Sequence, residues 1–458
     1  MIQLAILLVL CLAAASFVMG GARAKAMVGD NLASLHSRPF YHGAYGAMWV
    51  LKAGLATLTL VAVLGANMVE SRLLASIFEA DPATTNIKAE LILSDAIAIA
   101  NGDIASETDA LRERLAAQYQ SLENTRIIAA VVAAAGAAIL AFALTRRRIG
   151  LAFRARNRSE QIVGRFLQAA AVLAILTTVG IVLSLVGETL NFFSKIDWQV
   201  WKYLFGTTWS PLSGVQSGEM DANKVGAIPL FAGTMMITLI AMLVATPIGL
   251  FAAIYLSDFA SARFRAVAKP LLEILAGVPT VVYGYFAALT VGPFIRSAGE
   301  SIGLSVATES ALSAGVVMGI MIIPVVSSLS DDVINSVPQS LRDGSYAVGA
   351  TKAETMRQVV LPAALPGVVS AILLGVSRAI GETMIVVMAA GQGANLTANP
   401  LEAVTTVTTQ IVMLITGDTE AETAAGPAFT LGFTLFLMTL ALNVIAQRIV
   451  KRYREIYD

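Results

Sequence analysis

Charged side chains are scarce in this chain, and cysteine and histidine are almost missing. Only 14% of the 458 residues are Asp, Glu, Lys or Arg, whereas a soluble domain carries about 25%. Charge this sparse cannot cover a water-soluble protein of this length, so lipid must cover part of it. The single cysteine, Cys11, excludes a disulfide framework. His36 and His42 have no cysteine nearby and no carboxylate at close helical spacing, so we expect loop histidines and no metal site.

Two short motifs of soluble enzymes are also missing. The sequence contains no Gly-Lys dipeptide, and therefore no phosphate loop of the Walker type. It contains no His-Glu-x-x-His. We therefore predict no catalytic residue and no cofactor, and any ATP that is consumed must be bound by another subunit. The 31 basic and 31 acidic residues balance, which argues against a nucleic-acid partner.

Long apolar runs dominate the chain instead. A bilayer core about 30 Å thick is crossed by about 20 apolar residues in a helix, and helices satisfy their own backbone groups in lipid. Nine runs have this length, at 1–20, 45–67, 126–145, 166–187, 227–255, 267–294, 309–330, 367–390 and 426–447. We therefore predict an all-α, polytopic membrane protein. The prolines Pro270, Pro279 and Pro293 predict a kinked or partly broken sixth span.

Basic residues predict the orientation of these spans, because Lys and Arg remain on the cytoplasmic side. The first run has no basic residue ahead of it and is followed by Arg23 and Lys25. This order is the reverse of a secretory signal, so we expect a retained helix. The other odd-numbered connections and the C-terminal tail are also rich in basic residues. The pattern predicts an N-terminus outside the membrane and a cytoplasmic C-terminus.

The chain divides near the basic stretch 146–165. Ahead of this division we predict two transmembrane helices, an external helical segment, and a third helix with a basic cytoplasmic linker, at 1–67, 68–125 and 126–165. Behind it we predict a six-helix core, a cytoplasmic loop within that core, and a cytoplasmic tail, at 166–450, 338–366 and 451–458.

The cytoplasmic loop contains the first informative motif. A helix opens near Asp343, after the turn-prone Pro338, and Gly349 favours a turn or a close helix contact. Pro362 ends the segment before the next span. A pair of short amphipathic helices of this kind can dock a partner subunit or lie on the membrane surface, and the pattern alone leaves both interpretations open.

This motif resembles the coupling loop of ABC-importer permeases, which reads Glu-Ala-Ala, three residues, Gly, nine residues and Ile-x-Leu-Pro. The spacing matches throughout, with Asp343 in place of Glu and with Gly344 and Ser345 in place of the two Ala. The resemblance implies that the loop inserts into an ATPase subunit and transmits its motion. The residues that it assigns to coupling are Asp343, Gly344, Ser345, Gly349, Val359, Leu361 and Pro362.

A charged pair in the eighth span is the second informative feature. Arg378 lies 11 residues beyond Gly367, which is about 16 Å along a helix and close to mid-bilayer. A charge at this depth usually faces a cavity or a partner. Glu382 follows four residues later and is expected on the same helix face, where the two can neutralise each other.

The chemistry of this pair predicts a protonated oxyanion as substrate. Arg offers a planar fork of donors, whereas Glu repels a naked anion and accepts a hydrogen bond from an anion that carries its own proton. Phosphate has such P–OH groups at neutral pH and sulfate has none, so Arg378 with Glu382 can favour phosphate. The alternative is an internal ion pair that only holds helices together.

The six-helix core resembles the C-type subunit of phosphate-specific ABC permeases (PstC) over about 166–450. The matching stretches are Phe205 to Pro211, Val225 to Leu230, Leu275 to Gly284, Gly319 to Pro324 and Gly381 to Met384. The resemblance implies a bacterial inner-membrane location with a periplasmic N-terminus. It also implies a second, A-type permease subunit, an ATPase dimer and a periplasmic phosphate-binding protein as partners. Two alternatives are a permease for sulfate or molybdate, and a membrane scaffold or sensor of phosphate status that does not transport.

Overall fold

The computed structural model is helical through most of the residues it describes, which are 2–29, 34–80, 82, 84–102, 109–211, 213, 221–417 and 421–454. Among these residues the extended pairing is limited to one antiparallel bridge between Trp209 and Val225. The chain forms two compact units, Met1–Leu176 and Thr177–Asp458. Positions 1, 30–33, 81, 83, 103–108 and 455–458, which fall in the predicted N-terminal segments and tail, lie outside the described residues.

The helices are numbered in chain order. The N-terminal unit contains α1 (Ile2–Val28), α2 (Pro39–Ala80), α3 (Asn86–Asn101), α4 (Ala110–Arg148) and the first part of α5 (Ala155–Lys195). The C-terminal unit continues α5 and contains α6 (Val200–Phe205), α7 (Ile228–Ile254), α8 (Ala262–Ala276), α9 (Thr280–Phe286), α10 (Gly292–Ser301), α11 (Ala311–Ser336), α12 (Gln339–Ala347), α13 (Lys352–Thr355), α14 (Leu361–Ile380), α15 (Met384–Ala389), α16 (Val407–Thr416) and α17 (Ala421–Arg454).

The candidate membrane spans agree with the predicted apolar runs. In the described residues, eight helical segments are long and apolar enough to cross a membrane, and a bent pair, Ala262–Ala276 with Thr280–Ser301, makes a ninth if it is one span. Every predicted run overlaps one of these segments, so the all-α polytopic fold is confirmed. The predicted run 367–390 is too long, because its helix ends at Ile380. The pair bends by 88° at a break that ends in Pro279, where the proline ring removes a backbone donor. The predicted break of the sixth span is therefore confirmed.

In the N-terminal unit, α1, α2 and α4 pack closely because small residues line their contacts. A Cβ atom added at Gly46 would lie 2.6 Å from the Ser16 hydroxyl. Helix α2 has 42 residues and is about 63 Å long, roughly twice the thickness of a bilayer core. The C-terminal end of α2 packs against α3 and α4 through a separate cluster that includes Leu73, Ile77 and Ile92.

The two histidines differ in position. His36 lies outside the helices, with its Nδ1 atom 3.2 Å from the Ser37 hydroxyl. His42 is fully buried in the first turns of α2, 5.9 Å from the Phe153 ring between centroids. The expectation of loop histidines is wrong for His42, because Pro39 begins the helix three residues earlier and proline is favoured at a first helical position.

Helix α11 forms the centre of the C-terminal unit. A Cβ atom at Gly319 would lie 2.8 Å from the Ala241 carbonyl oxygen of α7, so the two backbones meet almost directly. The same core includes Met318 and Ile322 of α11 and Ala379 of α14. Because one face of α14 packs into this core, its opposite edge is directed outward.

Candidate functional site

Arg378 lies in the last turn of α14, on the outward edge of that helix. The inner face contains the buried residues Gly375 and Ala379, whereas Leu374 is 52% exposed and Arg378 is exposed as well. Within the described part of the chain, the Arg378 guanidinium makes no ion pair and no hydrogen bond. Its five N–H donors are therefore free to bind a group from outside this chain.

Glu382 does not share a helix face with Arg378, which corrects the sequence-based expectation. Helix α14 ends at Ile380, and a short break of three residues separates it from α15. The Glu382 carboxylate is buried and turns toward α15, where its Oε1 atom accepts hydrogen bonds from the backbone N–H groups of Met384 (3.1 Å) and Ile385 (3.5 Å). These N–H groups have no partner within their helix, so the carboxylate satisfies donors that would otherwise lack an acceptor.

The same break brings Glu382 next to a threonine-rich segment. The Thr408 hydroxyl donates to the Glu382 carbonyl oxygen at 2.9 Å, and the Thr406 hydroxyl lies 3.0 Å from the hydroxyls of both Thr408 and Thr409. Thr406 and Thr409 are buried, whereas Thr408 is half-buried. The segment therefore fixes the backbone of the break, while the Glu382 Oε2 atom makes no hydrogen bond within the described residues.

The predicted coupling residues lie on two short helices and the turn that joins them. Asp343, Gly344 and Ser345 are on α12, and Gly349 follows that helix with φ +88°. The Gly349 N–H donates to the Tyr346 carbonyl oxygen at 3.0 Å and closes the helix end, a conformation that favours glycine. Val359, Leu361 and Pro362 lie at the junction with α14 and are half-buried.

The outer surface of this coupling segment is exposed and partly apolar. Val348 is 85% exposed and Leu341 is 46% exposed, next to the exposed residues Asp343 and Gly344. Ser345 instead holds the two short helices together, with its hydroxyl 2.9 Å from the Thr355 hydroxyl. The segment therefore presents an apolar tip on a hydrogen-bonded base, which is suited to insertion into a cleft.

Sequence reasoning missed a buried ion pair at the base of this segment. Arg342 of α12 donates to the Asp258 carboxylate at 2.5 Å, with only 8% and 13% of the two side chains exposed. Arg342 also donates to the Ile334 carbonyl oxygen of α11 at 2.8 Å. Charged side chains are seldom this buried unless they are paired. Arg342 lies in one of the basic connections that predict the orientation of the spans, and its 84-residue separation from Asp258 gives no signal in a single sequence.

A second chain of polar contacts continues from that ion pair. The Ser257 hydroxyl donates to Asn335 at 3.0 Å, Asn335 donates to Asp331 at 3.0 Å, and Asp331 forms an ion pair with Lys269. Asp331 and Lys269 also line a cavity of about 520 Å³, together with Glu273. Ser257 and Asp258 lie in the π-helical turn Tyr255–Phe259, which continues the end of α7. The contacts therefore tie this end of α7, together with α8 and α11, to the same region that holds α12.

The two parts of the chain match two descriptions of known families. Residues 6–177 match a family described as a phosphate ATP-binding cassette transporter. Residues 245–455 match the inner membrane component of binding-protein-dependent transport systems. The N-terminal helices, which sequence reasoning left without a role, are therefore part of a recognised family themselves.

Individual relatives support the same family. The phosphate transport system permease protein PstC of Xylella fastidiosa is 33% identical over 270 residues, which cover 55% of this chain and 78% of that protein. The probable ABC transporter permease protein YqgH of Bacillus subtilis is 30% identical over 300 residues, 65% of this chain and 94% of that protein.

Among solved structures, a bacterial ABC transporter involved in alginate import covers 64% of this chain at 14% identity and a TM-score of 0.43, a likeness too distant to support an argument about function.

The sequence relatives and family matches, together with the helical membrane fold, lead to one conclusion. This chain belongs to the PstC family of phosphate ABC transporter permeases.

Proposed function

We propose that this permease is the transmembrane subunit of an ATP-driven importer of inorganic phosphate. It forms the pathway with a second permease subunit and receives phosphate from a periplasmic binding protein. A separate ATPase dimer supplies the energy. The observation that carries the proposal is Arg378, an exposed guanidinium at the end of a membrane helix with no partner among the described residues. Placing a cation in such a position is unfavourable unless a substrate or a neighbouring subunit pairs with it.

The break at Glu382 supports a preference for an anion that carries a proton. Oε1 of Glu382 is occupied by the backbone of α15, while Oε2 is without a hydrogen bond in the described residues. This second oxygen can accept a hydrogen bond from a P–OH group, whereas fully ionised sulfate offers it no donor and is repelled. Glu382 thus acts on the substrate itself and does not neutralise Arg378.

A single helix links the predicted ATPase contact to the predicted substrate site. Helix α14 begins at Leu361 in the coupling segment and ends two residues after Arg378, so about 26 Å of continuous helix separates Leu361 from Arg378. ATP-driven closure of the ATPase dimer would displace the coupling segment. Because a packed helix moves as a unit, the displacement reaches Arg378 and opens or closes the pathway by alternating access.

Phosphate uptake in a strain that lacks this chain tests the proposal directly. We expect radiolabelled phosphate uptake to be lost in that strain and to return when the gene is supplied on a plasmid. Unlabelled sulfate and molybdate should compete weakly. Strong competition by either anion would indicate a permease for another oxyanion, and unchanged uptake in the deleted strain would leave a scaffold or sensor as the better interpretation.

Variants of Glu382 separate its two contacts. We expect Glu382→Gln to keep the acceptor for the α15 backbone but to weaken the discrimination against sulfate, because the negative charge is gone. Glu382→Ala removes the helix cap as well, which costs about 1 kcal/mol, and should lower both uptake and the melting temperature. The measurement is uptake of phosphate with sulfate as competitor. Equal selectivity in wild type and Glu382→Gln would mean that the carboxylate is only structural.

Two glycines of the coupling segment form a matched pair. A Cβ atom at Gly349 meets nothing within 4 Å, so Gly349→Ala is penalised only by its left-handed backbone, by roughly 1–2 kcal/mol. Gly344 lies inside α12 in equally open space, where alanine is favoured by about 1 kcal/mol. We expect Gly349→Ala to reduce phosphate uptake several-fold and Gly344→Ala to preserve it. Lower phosphate uptake in Gly344→Ala than in Gly349→Ala would contradict this account of the turn.

A further inference from the structure

A groove on the N-terminal unit has the features of a lipid-binding site. It lies between α2 and α4, near the end of α4 that carries Arg146, Arg147 and Arg148, and encloses about 290 Å³. Its walls are mainly apolar, with Leu140 and Leu144 on one side. An apolar groove of this kind on a membrane helix pair is suited to an acyl chain.

Polar groups converge at the same groove. Trp49 lines it, and the Nε1–H of Trp49 is buried without a hydrogen-bond acceptor within the described residues. Burying an N–H donor without an acceptor is unfavourable, so the indole is poised for an acceptor from outside the chain. Tyr45 and Thr145 also line the groove, but the Thr145 hydroxyl already donates to the Ala141 carbonyl oxygen at 2.8 Å.

Two cations flank the unsatisfied indole. Arg148 is exposed, lines the groove and makes no ion pair in the part of the chain that the structure describes. The Nζ atom of Lys52 lies over the Trp49 ring, 5.2 Å from its centroid. Helical side chains lean toward the N-terminus of their helix, so Lys52 on α2 leans toward the end of the unit where Arg148 lies.

We propose that this groove binds one anionic phospholipid of the phosphatidylglycerol type. Its acyl chain would lie along the apolar wall of Leu140 and Leu144, and its phosphodiester would accept hydrogen bonds from Trp49 and Arg148. A zwitterionic phospholipid fits less well, because its own ammonium group would face the two cations. Free phosphate would satisfy the donors but would leave the apolar wall uncovered. The site is independent of the substrate pathway proposed above.

Native mass spectrometry on the full-length protein, extracted with the subunits that copurify, tests the site. We expect wild type to retain one phosphatidylglycerol more tightly than phosphatidylcholine by about tenfold, the difference of roughly one charged hydrogen bond. Arg148→Gln and Trp49→Phe should each weaken phosphatidylglycerol retention by about tenfold. An excess of inorganic phosphate should not displace the lipid.

Matched controls keep the proposal falsifiable. Arg165→Gln removes another exposed arginine of the same unit, and Trp201→Phe removes an exposed indole elsewhere; both should retain the lipid as wild type does. The proposal would be overturned if the control variants lost as much lipid as Arg148→Gln, or if phosphatidylcholine bound as tightly as phosphatidylglycerol. It would also be overturned if phosphate alone displaced the lipid, or if a copurifying subunit crosslinked into the groove. If Trp49→Phe fails to fold, Arg148→Gln decides the question, because its side chain is on the surface.

Discussion

Replacing Arg378 with Gln is expected to abolish phosphate uptake while the protein still assembles in the membrane. Gln preserves most of the side-chain length but loses the charge and the bidentate fork. Each hydrogen bond to a charged group contributes about 1.5–3 kcal/mol, and every 1.4 kcal/mol is about a tenfold change in binding. Losing two such bonds would weaken phosphate binding in the pathway by about a hundredfold or more. Uptake of radiolabelled phosphate by intact cells measures the effect.

A matched control comes from a surface arginine of the same unit. Arg296 forms an exposed ion pair with Glu300 at 2.8 Å, with about half of each side chain accessible, and such pairs contribute only about 0–1 kcal/mol. Arg296→Gln should therefore transport normally. Normal uptake by a correctly assembled Arg378→Gln protein would remove the argument about the substrate, whatever the arrangement of the helices.

A comparably large effect is expected from Arg342→Met at the base of the coupling segment. The substitution leaves the carboxylate of Asp258 buried without its cation, and breaking one partner of a buried pair typically costs about 3–5 kcal/mol. We expect a lower melting temperature of the purified protein and loss of phosphate uptake, because α12 is no longer fixed to the end of α7. Thermal unfolding and uptake are both measured on the same variant.

The double variant Asp258→Asn/Arg342→Met isolates the interaction within that pair. With both charges gone, part of the stability lost in Arg342→Met should return, which is the signature of direct coupling. Arg357→Met is the control, since Arg357 is an exposed residue of the same coupling segment and its loss should change the melting temperature little. A melting temperature for Arg342→Met equal to that of Arg357→Met would show that the Asp258–Arg342 contact does not stabilise the segment.

This ion pair and the proposed substrate site act on opposite ends of the same helical connection. Arg342 holds α12 to the ends of α7 and α11, whereas Arg378 lies at the far end of α14. A variant that loosens the first should uncouple ATP hydrolysis from transport, and a variant of the second should block transport with coupling intact. Comparing the ATPase activity of the two variants in proteoliposomes therefore distinguishes the two defects.

Some features of this protein follow from the sequence alone, for a local reason. The nine apolar runs are helical over most of their length because backbone groups in lipid must be satisfied within their own segment, and the break at Pro279 follows because proline lacks an N–H group. The turn at Gly349 follows from the glycine itself, which alone adopts a left-handed backbone without penalty. None of these depends on which helices become neighbours.

Other features were decided only by the tertiary structure. Spacing placed Glu382 on the face of Arg378, but α14 ends at Ile380, and the carboxylate binds the free N–H groups that begin α15. Arg342 finds Asp258 only because α7, α11 and α12 meet, and no local pattern encodes a contact across 84 residues. Helix formation in a membrane is set by each segment, whereas the partner of a buried charge is set by the packing that buries it.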